Sequence, residues 1–444
     1  PCGDSDSGVA VDGEGSPEYD YRITCTEGTA TIRVNAAVDG ARTAVESIYA
    51  YTPEEYNGGD MVFFGTGNVT FTQEVKTSAG GRLLSIIIPM ASFTCQSFIP
   101  ANITAYGDID ANGGCTIGGS AISATGVLDM CCGTDVIEGD VATSGTGTST
   151  VRGMLKGNLH TNGPVTFGWE GKQVAGSATI NGNAQLGNVK INGSLTVPSS
   201  KTITAQSGTV VGGTVRPSTV PGPTPPVLPP WFEYKFDAAD WSGYQIVALT
   251  SSGSGNTSCN GFNSSPGSAW TALGTYTSPV VIDARACSTL SSNNGSNPTI
   301  ELKSNVVLLA KKFDLSGAKF KAAAGVAGKP KLWVMTEDPT PGDSKPTCPS
   351  GYGDLLVNGT QADLTIKAMA YTPCRINVAG GAYGVQDKWN GTFYGGGWNY
   401  GGGLTFTADP IAVPGMGEEE SGGAADGTLG SLLASRDVEY EVIG

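Results

Sequence analysis

The stretch that decides the fold is residues 176–195, GSATINGNAQLGNVKINGSL, in which glycine, a short polar residue and an apolar residue recur together. The steps Gly176-Ser177-Ala178, Gly182-Asn183-Ala184, Gly187-Asn188-Val189 and Gly193-Ser194-Leu195 begin 6, 5 and 6 residues apart. A period near six is typical of a hexapeptide β-helix. In that fold glycine takes the tight corner, the polar residue bonds the turn backbone, and the apolar residue points into a stacked core.

The same step occurs earlier in the chain, from Gly107-Asp108-Ile109 to Gly157-Asn158-Leu159, and the composition agrees with it. Glycine supplies 66 of the 444 residues, and only 15% are charged. Before this texture begins, residues 18 to about 90 alternate apolar and polar residues, which favours an antiparallel meander with one buried face. The sequence therefore predicts a mostly β protein: an N-terminal antiparallel β module, then glycine-rich right-handed β-helix (solenoid) segments, with little helix.

Changes of composition divide the chain into four predicted regions. We expect a β module at 1–95, a glycine-punctuated solenoid at 96–216, a proline-rich linker at 217–230 and a β-rich, solenoid-like domain at 231–444. The linker favours polyproline II, either as a spacer or strapped along a surface. Within the last region, residues 416–430 are expected to form a mobile acidic loop, and residues 437–443 alternate like a closing strand.

Charge and cysteine content limit the location and the partners. The net charge of −15 argues against nucleic-acid binding, which normally needs a basic surface. Ten cysteines, without a CxxC, indicate disulfides and an oxidising, extracytoplasmic location. We expect the pairs Cys2–Cys25, Cys259–Cys287 and Cys348–Cys374. Because adjacent cysteines rarely bond each other, the remaining expectation is that two cysteines bond two others, in an order left open: Cys95 and Cys115 with Cys131 and Cys132.

No stretch of the sequence is apolar and long enough to span a membrane. The most apolar window, residues 83–93, is far shorter than the ~20 residues that a spanning helix needs. The chain starts at Pro1 without a methionine or signal peptide, so we expect that a leader or an N-terminal anchor has been removed.

The order of these segments resembles a known family. A β-meander with Ala30-Thr31-Ile32-Arg33-Val34 and the run from Phe63 to Phe71 precede the glycine-punctuated rungs, and residues 388–394 (KWNGTFY) and 409–415 (DPIAVPG) follow near the end. This resembles the PilX-type pilus-assembly, minor-pilin-like proteins of Gram-positive, especially actinobacterial, bacteria. The repeats are also similar to polymer-forming bactofilin-like solenoids. The resemblance implies a pilus subunit with other pilus subunits as partners, attached to a membrane only through a missing N-terminal helix.

Catalytic motifs are scarce, and one segment has the residue types of a metal site. The single histidine, His160, lies in a rung, and no GxSxG elbow is present, so a Ser-His-Asp hydrolase lacks its motif. Asp108, Asp110 and Asn112 place alternating oxygen ligands before Gly113, as in the first half of an EF-hand loop, but Gly119 stands where the bidentate Glu belongs. A plain solenoid turn and a partial Ca²⁺ site are the alternatives. No other cofactor is expected.

Two clusters are candidates for ligand or partner contact. Aromatic rings alternate with glycines between residues 389 and 406 and form either an internal cap or a platform for sugars. The rings singled out are Trp389, Tyr394, Trp398 and Tyr400. Seven lysines lie within residues 303–331, either as solvated strand positions or as a contact surface for an anionic wall polymer or an acidic subunit. The lysines singled out are Lys311, Lys312, Lys319 and Lys321.

These observations predict an extracellular, non-catalytic minor or tip subunit of a type IV-like pilus that presents an adhesive surface to a glycan or a host or cell surface. Two alternatives remain. One is a carbohydrate-active β-helix enzyme, a polysaccharide lyase or glycosidase that works with carboxylates on one face. The other is a purely structural cell-wall protein.

Overall fold

The computed structural model describes residues 5–10, 18–26, 29–38, 41–52, 59–78, 82–168, 173–218, 220–252, 255–264, 268–293, 297–340, 342–381, 385–414 and 428–442. The chain forms two compact units. One combines residues 1–57 with 412–444, and the other is residues 58–411. The second unit is therefore inserted into the sequence of the first.

The first unit is a five-stranded antiparallel sheet. Its strands are β1 (Ser5–Ala10), β2 (Glu18–Thr26), β3 (Thr29–Val38), β4 (Ala41–Thr52) and β43 (Thr428–Val442). They lie in the order β1-β2-β3-β4-β43, so the last strand pairs with β4. This confirms the expected meander for residues 18–52 and the closing strand, whereas the rest of the stretch expected to be antiparallel, from residue 61 to about 90, forms parallel strands of the solenoid. The Cys2–Cys25 pair and residues 416–427 of the expected acidic loop lie outside the described residues, and residues 428–430 of that expected loop belong to β43.

The second unit is a parallel β-solenoid of about 16 turns, which confirms the predicted fold class. Its first half contains short strands separated by corners. These are β5 (Met61–Phe63), β6 (Val69–Phe71), β7 (Val75–Thr77), β8 (Leu84–Ile88), β9 (Phe93–Cys95), β10 (Phe98–Ile99), β11 (Ala101–Ala105), β12 (Ile109–Ala111), β13 (Thr116–Ile117), β14 (Ala121–Ser123), β15 (Leu128–Met130), β16 (Val136–Ile137), β17 (Val141–Thr143), β18 (Ser149–Val151), β19 (Met154–Leu155), β20 (Leu159–Thr161), β21 (Val165–Phe167), β22 (Gln173–Val174), β23 (Ala178–Ile180), β24 (Ala184–Leu186), β25 (Lys190–Ile191), β26 (Leu195–Val197), β27 (Ile203–Ala205), β28 (Val210–Val211) and β29 (Val215–Pro217).

The second half contains longer strands and two short helices. The strands are β30 (Gln245–Ala248), β31 (Val280–Asp283), β32 (Leu290–Ser291), β33 (Thr299–Leu302), β34 (Val306–Leu309), β35 (Phe313–Asp314), β36 (Lys319–Ala322), β37 (Lys331–Met335), β38 (Leu355–Val357), β39 (Gln361–Ala362), β40 (Lys367–Val378), β41 (Asp387–Tyr400) and β42 (Leu404–Ala408). The helices are α1 (Cys259–Asn263) and α2 (Ser268–Ala272), and a 3₁₀ turn follows at Leu273–Thr275.

The two halves stack into one solenoid in reversed order. The last coil of the second half meets the first coil of the first half, because β41 pairs in parallel with β5 and β42 pairs with β7. The coils therefore run from β30 through β41 to β5 and then on to β29. Compact-unit boundaries fall near residues 57 and 411, whereas the sequence analysis drew boundaries at 95, 216 and 230. The solenoid begins before residue 95 because its early coils use aromatic core residues, such as Phe63 and Phe71, in place of glycine steps, and residues 216 and 230 are not boundaries because the two halves stack on each other.

The glycine-polar-apolar step has the structure that the sequence predicts. At one corner the short polar side chains form a ladder. Each side chain accepts a hydrogen bond from the backbone N–H of its counterpart in the next coil. Asp140 Oδ1 accepts from Asn158 N at 2.7 Å, and Asn158 Oδ1 accepts from Ser177 N at 3.0 Å. The preceding glycines leave no room for a side chain, since a Cβ on Gly157 would lie 2.4 Å from the carbonyl oxygen of Gly139. Stacked corners thus require glycine and supply each other's hydrogen bonds.

The proline-rich segment is a strap along the solenoid and not a spacer between domains. We use "the strap" for residues 220–244. His160 Nε2 lies 3.1 Å from the carbonyl oxygen of Pro221, and the Tyr394 hydroxyl donates to the carbonyl of Pro230 at 3.2 Å. Six coil steps of about 4.8 Å separate β20 from β41, about 29 Å. The nine residue steps between the two prolines span about 28 Å as polyproline II, so this part of the strap is extended.

The strap covers an apolar outer face of the second half. Leu309, Met335, Tyr371 and Tyr394 occupy one outward-facing row of β34, β37, β40 and β41, yet all are buried. Trp231 of the strap packs on the last two, with ring centroids 5.3 Å and 5.0 Å apart. The strap therefore buries a second apolar layer outside the solenoid core and returns the chain from β29 to β30.

The disulfides agree with the sequence analysis in the second half and differ from it in the first. Cys259–Cys287 and Cys348–Cys374 form as predicted. The expectation that Cys95 and Cys115 bond to Cys131 and Cys132 is wrong, because Cys95 bonds Cys115 and the adjacent pair bond each other.

Successive coils explain the first-half pairing. Cys95 and Cys115 lie on neighbouring coils inside the core, with Cα atoms 5.4 Å apart. Cys131 and Cys132 lie in a half-exposed turn. That turn is closed by the buried Asp135, whose carboxylate accepts N–H groups of Cys115 and Cys132 at 3.0 Å.

Candidate binding surface

The aromatic rings singled out in the sequence lie in the interior. Trp389, Tyr394, Trp398 and Tyr400 are between 1% and 9% exposed. Trp398 stacks on Phe63 at 4.5 Å, and the Tyr400 hydroxyl donates to the carbonyl of Glu74 at 2.9 Å. These contacts join the two halves of the solenoid. The interpretation as an exposed sugar platform is therefore corrected: Trp389, Trp398 and Tyr400 belong to the solenoid core, and Tyr394 points outward but is covered by Trp231 of the strap.

The clustered lysines separate onto different parts of the solenoid. Lys311 and Lys312 lie at the corner between β34 and β35, whereas Lys319 and Lys321 lie on β36. Lys321 Nζ is 2.8 Å from Glu301 Oε1 on the neighbouring strand, and this pairing raises the pKa of Lys321 and lowers that of Glu301. The structure thus does not gather the four lysines into one patch.

Lys319 instead belongs to a row of residues that are distant in sequence and that no sequence pattern indicates. On the face that contains β36, the partner of Lys319 on β39 is Gln361, and the partner of Gln361 on β41 is Lys388. Lys388 is in register with Thr405 on β42, which is in register with Lys76 on β7. Every second coil of this row therefore carries a lysine. We call Lys319, Lys388 and Lys76 the lysine row.

The lysine row is accessible and regularly spaced. Lys76 and Lys388 are exposed and Lys319 is half-buried. With coils about 4.8 Å apart, neighbouring lysines stand about 10 Å apart, and the row is about 19 Å long. Glu74 lies 3.4 Å from Lys76 Nζ and offsets part of its charge. A straight, evenly spaced cationic row is a suitable surface for an extended anionic polymer.

The proposed metal ligands do not converge. Asp108, Asp110 and Asn112 lie at alternate positions of the extended segment around β12, so their Cα atoms are about 6.6 Å apart in sequence order. Asp108 Oδ1 accepts the backbone N–H of Val127 at 2.9 Å, as a corner residue does. An EF-hand loop curls its ligands around one ion, and this strand does not. The EF-hand interpretation is corrected in favour of the solenoid turn.

Asp110 does have an acidic neighbour on the next coil. It is in register with Asp129 on β15 and accepts a hydrogen bond from the Thr94 hydroxyl at 3.4 Å. Partial burial raises the pKa of Asp110, and the charges of Asp108 and Asp129 raise it further. Two aspartates whose backbones lie about 5 Å apart on adjacent coils are thus present on this face.

The only histidine has a structural contact with the strap. His160 is half-buried, and its Nε2 lies 3.1 Å from the carbonyl oxygen of Pro221. Among the described residues, no helix is long and apolar enough to cross a membrane.

Comparisons with known proteins give little further information. No family model and no curated protein matches the chain. Among solved structures, a competence-associated pilin, ComZ from Thermus thermophilus, is similar over 98% of this chain and 86% of its own, at 10% sequence identity and a TM-score of 0.28.

Proposed function

We propose that this protein is a non-catalytic, extracytoplasmic subunit of a pilus-type filament, and that its solenoid attaches to an anionic surface polymer through the lysine row. The disulfides support the location, because such bonds persist in oxidising compartments. The topology supports the subunit role. A small sheet contains the first and last strands, β1 and β43, and a long solenoid is inserted between β4 and β43. In this proposal the sheet is the assembly module and the solenoid is the attachment module.

The observation that carries the attachment role is the lysine row. The chain has a net charge of −15. A straight row with a lysine on every second coil is therefore a positively charged strip on an otherwise acidic protein. Regular spacing matches a repeating anion better than a single small ligand. The minor or tip position within a filament and the adhesive role belong to the same proposal.

A charge-reversal experiment tests the attachment role. Lys319→Glu with Lys388→Glu removes two charges and adds two repulsions, together about 1.4 kcal/mol at ~0.3–0.4 kcal/mol per exposed interaction. The affinity of the full chain for immobilised polyphosphate is therefore expected to fall about tenfold. Lys311→Glu with Lys312→Glu changes the net charge equally but lies off the row. If both double variants lose the same affinity for polyphosphate, the lysine row is not a defined binding site. If Lys319→Glu with Lys388→Glu leaves the affinity unchanged, the row does not bind the polymer.

A second candidate function rests on the in-register pair Asp110 and Asp129. Two aspartates in register on adjacent strands, one with a raised pKa, are the pair of residues that a retaining glycosidase would use as acid and nucleophile. Assays on acidic and neutral polysaccharides with Asp110→Asn and Asp129→Asn as controls decide between the two. Turnover abolished by either substitution would favour the enzyme over the attachment subunit.

A further inference from the structure

One end of the solenoid is open. The last coil, residues 198–217, places apolar side chains in register with core residues of the coil beneath it. Ile203 is in register with the buried Ala184, and Val215 with the buried Leu195. Yet Ile203 is 39% exposed and Val215 is 52% exposed, since no further coil covers them among the described residues.

The strand edges of this coil are open as well. β27 and β28 stand at the ends of their eight- and seven-stranded sheets, and each is paired on one side only in the described part of the chain. Unpaired edges and an uncovered core are what solenoids normally protect with a cap.

The opposite end is capped in part by helix, although β30 stays largely exposed there and Ile246 is 43% exposed. In the described part of the first coil β30 is the single strand, and α1 and α2 pack on β32 and β33, where the other two strands of a coil would lie. Phe262, Trp270 and Leu273 from this helical segment belong to the core cluster and are about 1% exposed or less. The two ends therefore differ. In head-to-tail stacking, the open end of one molecule would meet the helical cap of the next and not a matching open coil.

The open end is also free of acidic groups. No Asp or Glu occurs between Glu170 and Glu233, although the chain contains 40 of them. The last coil itself carries only two charges, Lys201 and Arg216, and both are exposed. A protein with a net charge of −15 repels a second copy over most of its surface. At this end no carboxylate has to lose its hydration on contact.

We propose that the open end binds the open end of a second copy of this chain, across a two-fold axis. Two identical coils have the same cross-section, so the apolar interiors meet and all three strand edges find partners. Because the copies face each other, each strand runs antiparallel to its new neighbour. The last coil offers 20 residues per partner, close to the roughly 20–30 residues a side of a stable interface. This interface is separate from the lysine row and does not depend on the proposed function.

Sedimentation velocity of the full chain over ~1–100 µM tests the proposal. The wild type is expected to form a dimer. Val215→Asp is expected to weaken it at least a hundredfold, because it buries a carboxylate in the interface. The matched control is Val227→Asp on the strap, where the valine is 99% exposed; this variant is expected to dimerise as the wild type does.

The salt dependence of dimerisation and the rate of amide exchange are two further measurements of the same interface. Since the only charges of the last coil are the cations Lys201 and Arg216, two facing coils repel each other, and added salt is expected to strengthen the dimer. Amide exchange in β27 and β29 is expected to slow with protein concentration, which reports the interface even if Val215→Asp fails to fold. A monomeric wild type, a dimer that Val227→Asp disrupts equally, or association that weakens with salt would each overturn the proposal. The last result would indicate an acidic partner surface instead.

Discussion

Replacing Trp231 by alanine tests whether the strap stabilises the solenoid. Trp231 packs on residues of both halves and covers them with one apolar layer. The indole is 4% exposed and packs on Tyr371, Tyr394 and Phe64, with ring centroids 5.0–5.3 Å away. Its Nε1 donates to the buried carboxylate of Asp338 at 2.8 Å. The substitution therefore removes a ring stack and a charge-assisted hydrogen bond at once.

The expected cost follows from these contacts. Truncating a buried tryptophan to alanine typically destabilises a protein by about 3–5 kcal/mol. Trp231→Phe keeps most of the apolar area and loses the bond to Asp338, which costs about 1–3 kcal/mol. Val227→Ala, on the same strap at 99% exposure, is expected to change stability by less than about 0.5 kcal/mol.

Denaturant unfolding and limited proteolysis measure these differences. Trp231→Ala is expected to lower the unfolding midpoint and to expose the strap to cleavage under native conditions. The pKa of Tyr371, which burial raises well above its ordinary value, is then expected to fall toward the value of an exposed tyrosine. If Trp231→Ala has the same unfolding midpoint as the wild type and the pKa of Tyr371 is unchanged, the strap is not a stabilising layer and the reasoning is refuted.

Three further predictions concern stability. Because the Tyr371 pKa is raised in the folded state, its contribution is present below pH ~10 and is lost as the pH rises above it; a denaturant midpoint unchanged up to pH ~12 would contradict this. Gly157→Ala, whose Cβ would lie 2.4 Å from a carbonyl oxygen, is expected to lower the melting temperature, whereas Gly67→Ala, with no atom within 4 Å, is not; equal effects would argue against stacked corners. Replacing Cys348 and Cys374 together by serine opens a loop with a sequence separation of 26 and is expected to cost about 3–4 kcal/mol by calorimetry; an unchanged stability would sink the predicted staple.

The sequence was sufficient for the local architecture. Gly157-Asn158 and similar steps specify both the glycine that fits a stacked corner and the side chain that bonds the next coil. The prolines likewise indicated an extended segment, and the strap was one of two alternatives. These features are determined by residues that are adjacent in the sequence, so a local pattern is enough to predict them.

The arrangement of the two halves was beyond the sequence. Lys76 and Lys388 share a row only because β42 stacks on β7, and no periodicity joins residues so far apart. The burial of Trp398 has the same cause, since its partner Phe63 comes from the other half. An inward and an outward ring have the same local sequence, which is why the aromatic-glycine run allowed both interpretations.

The Cys131–Cys132 bond shows a different limit. The tendency of adjacent cysteines not to pair is a statement about average backbones, and here the turn is shaped by Asp135, which accepts three backbone N–H groups. The contribution of a buried carboxylate to that turn cannot be read from the cysteine spacing alone.

The most direct test of the central claim is to locate the chain in the cells that make it. Surface filaments sheared from those cells are separated from the cell bodies and probed with an antibody against residues 58–411. The account predicts that the protein is found in the filament fraction, with its cysteines oxidised, and that gold label marks filaments in the electron microscope. A reduced protein confined to the cell interior, with unlabelled filaments, would contradict it.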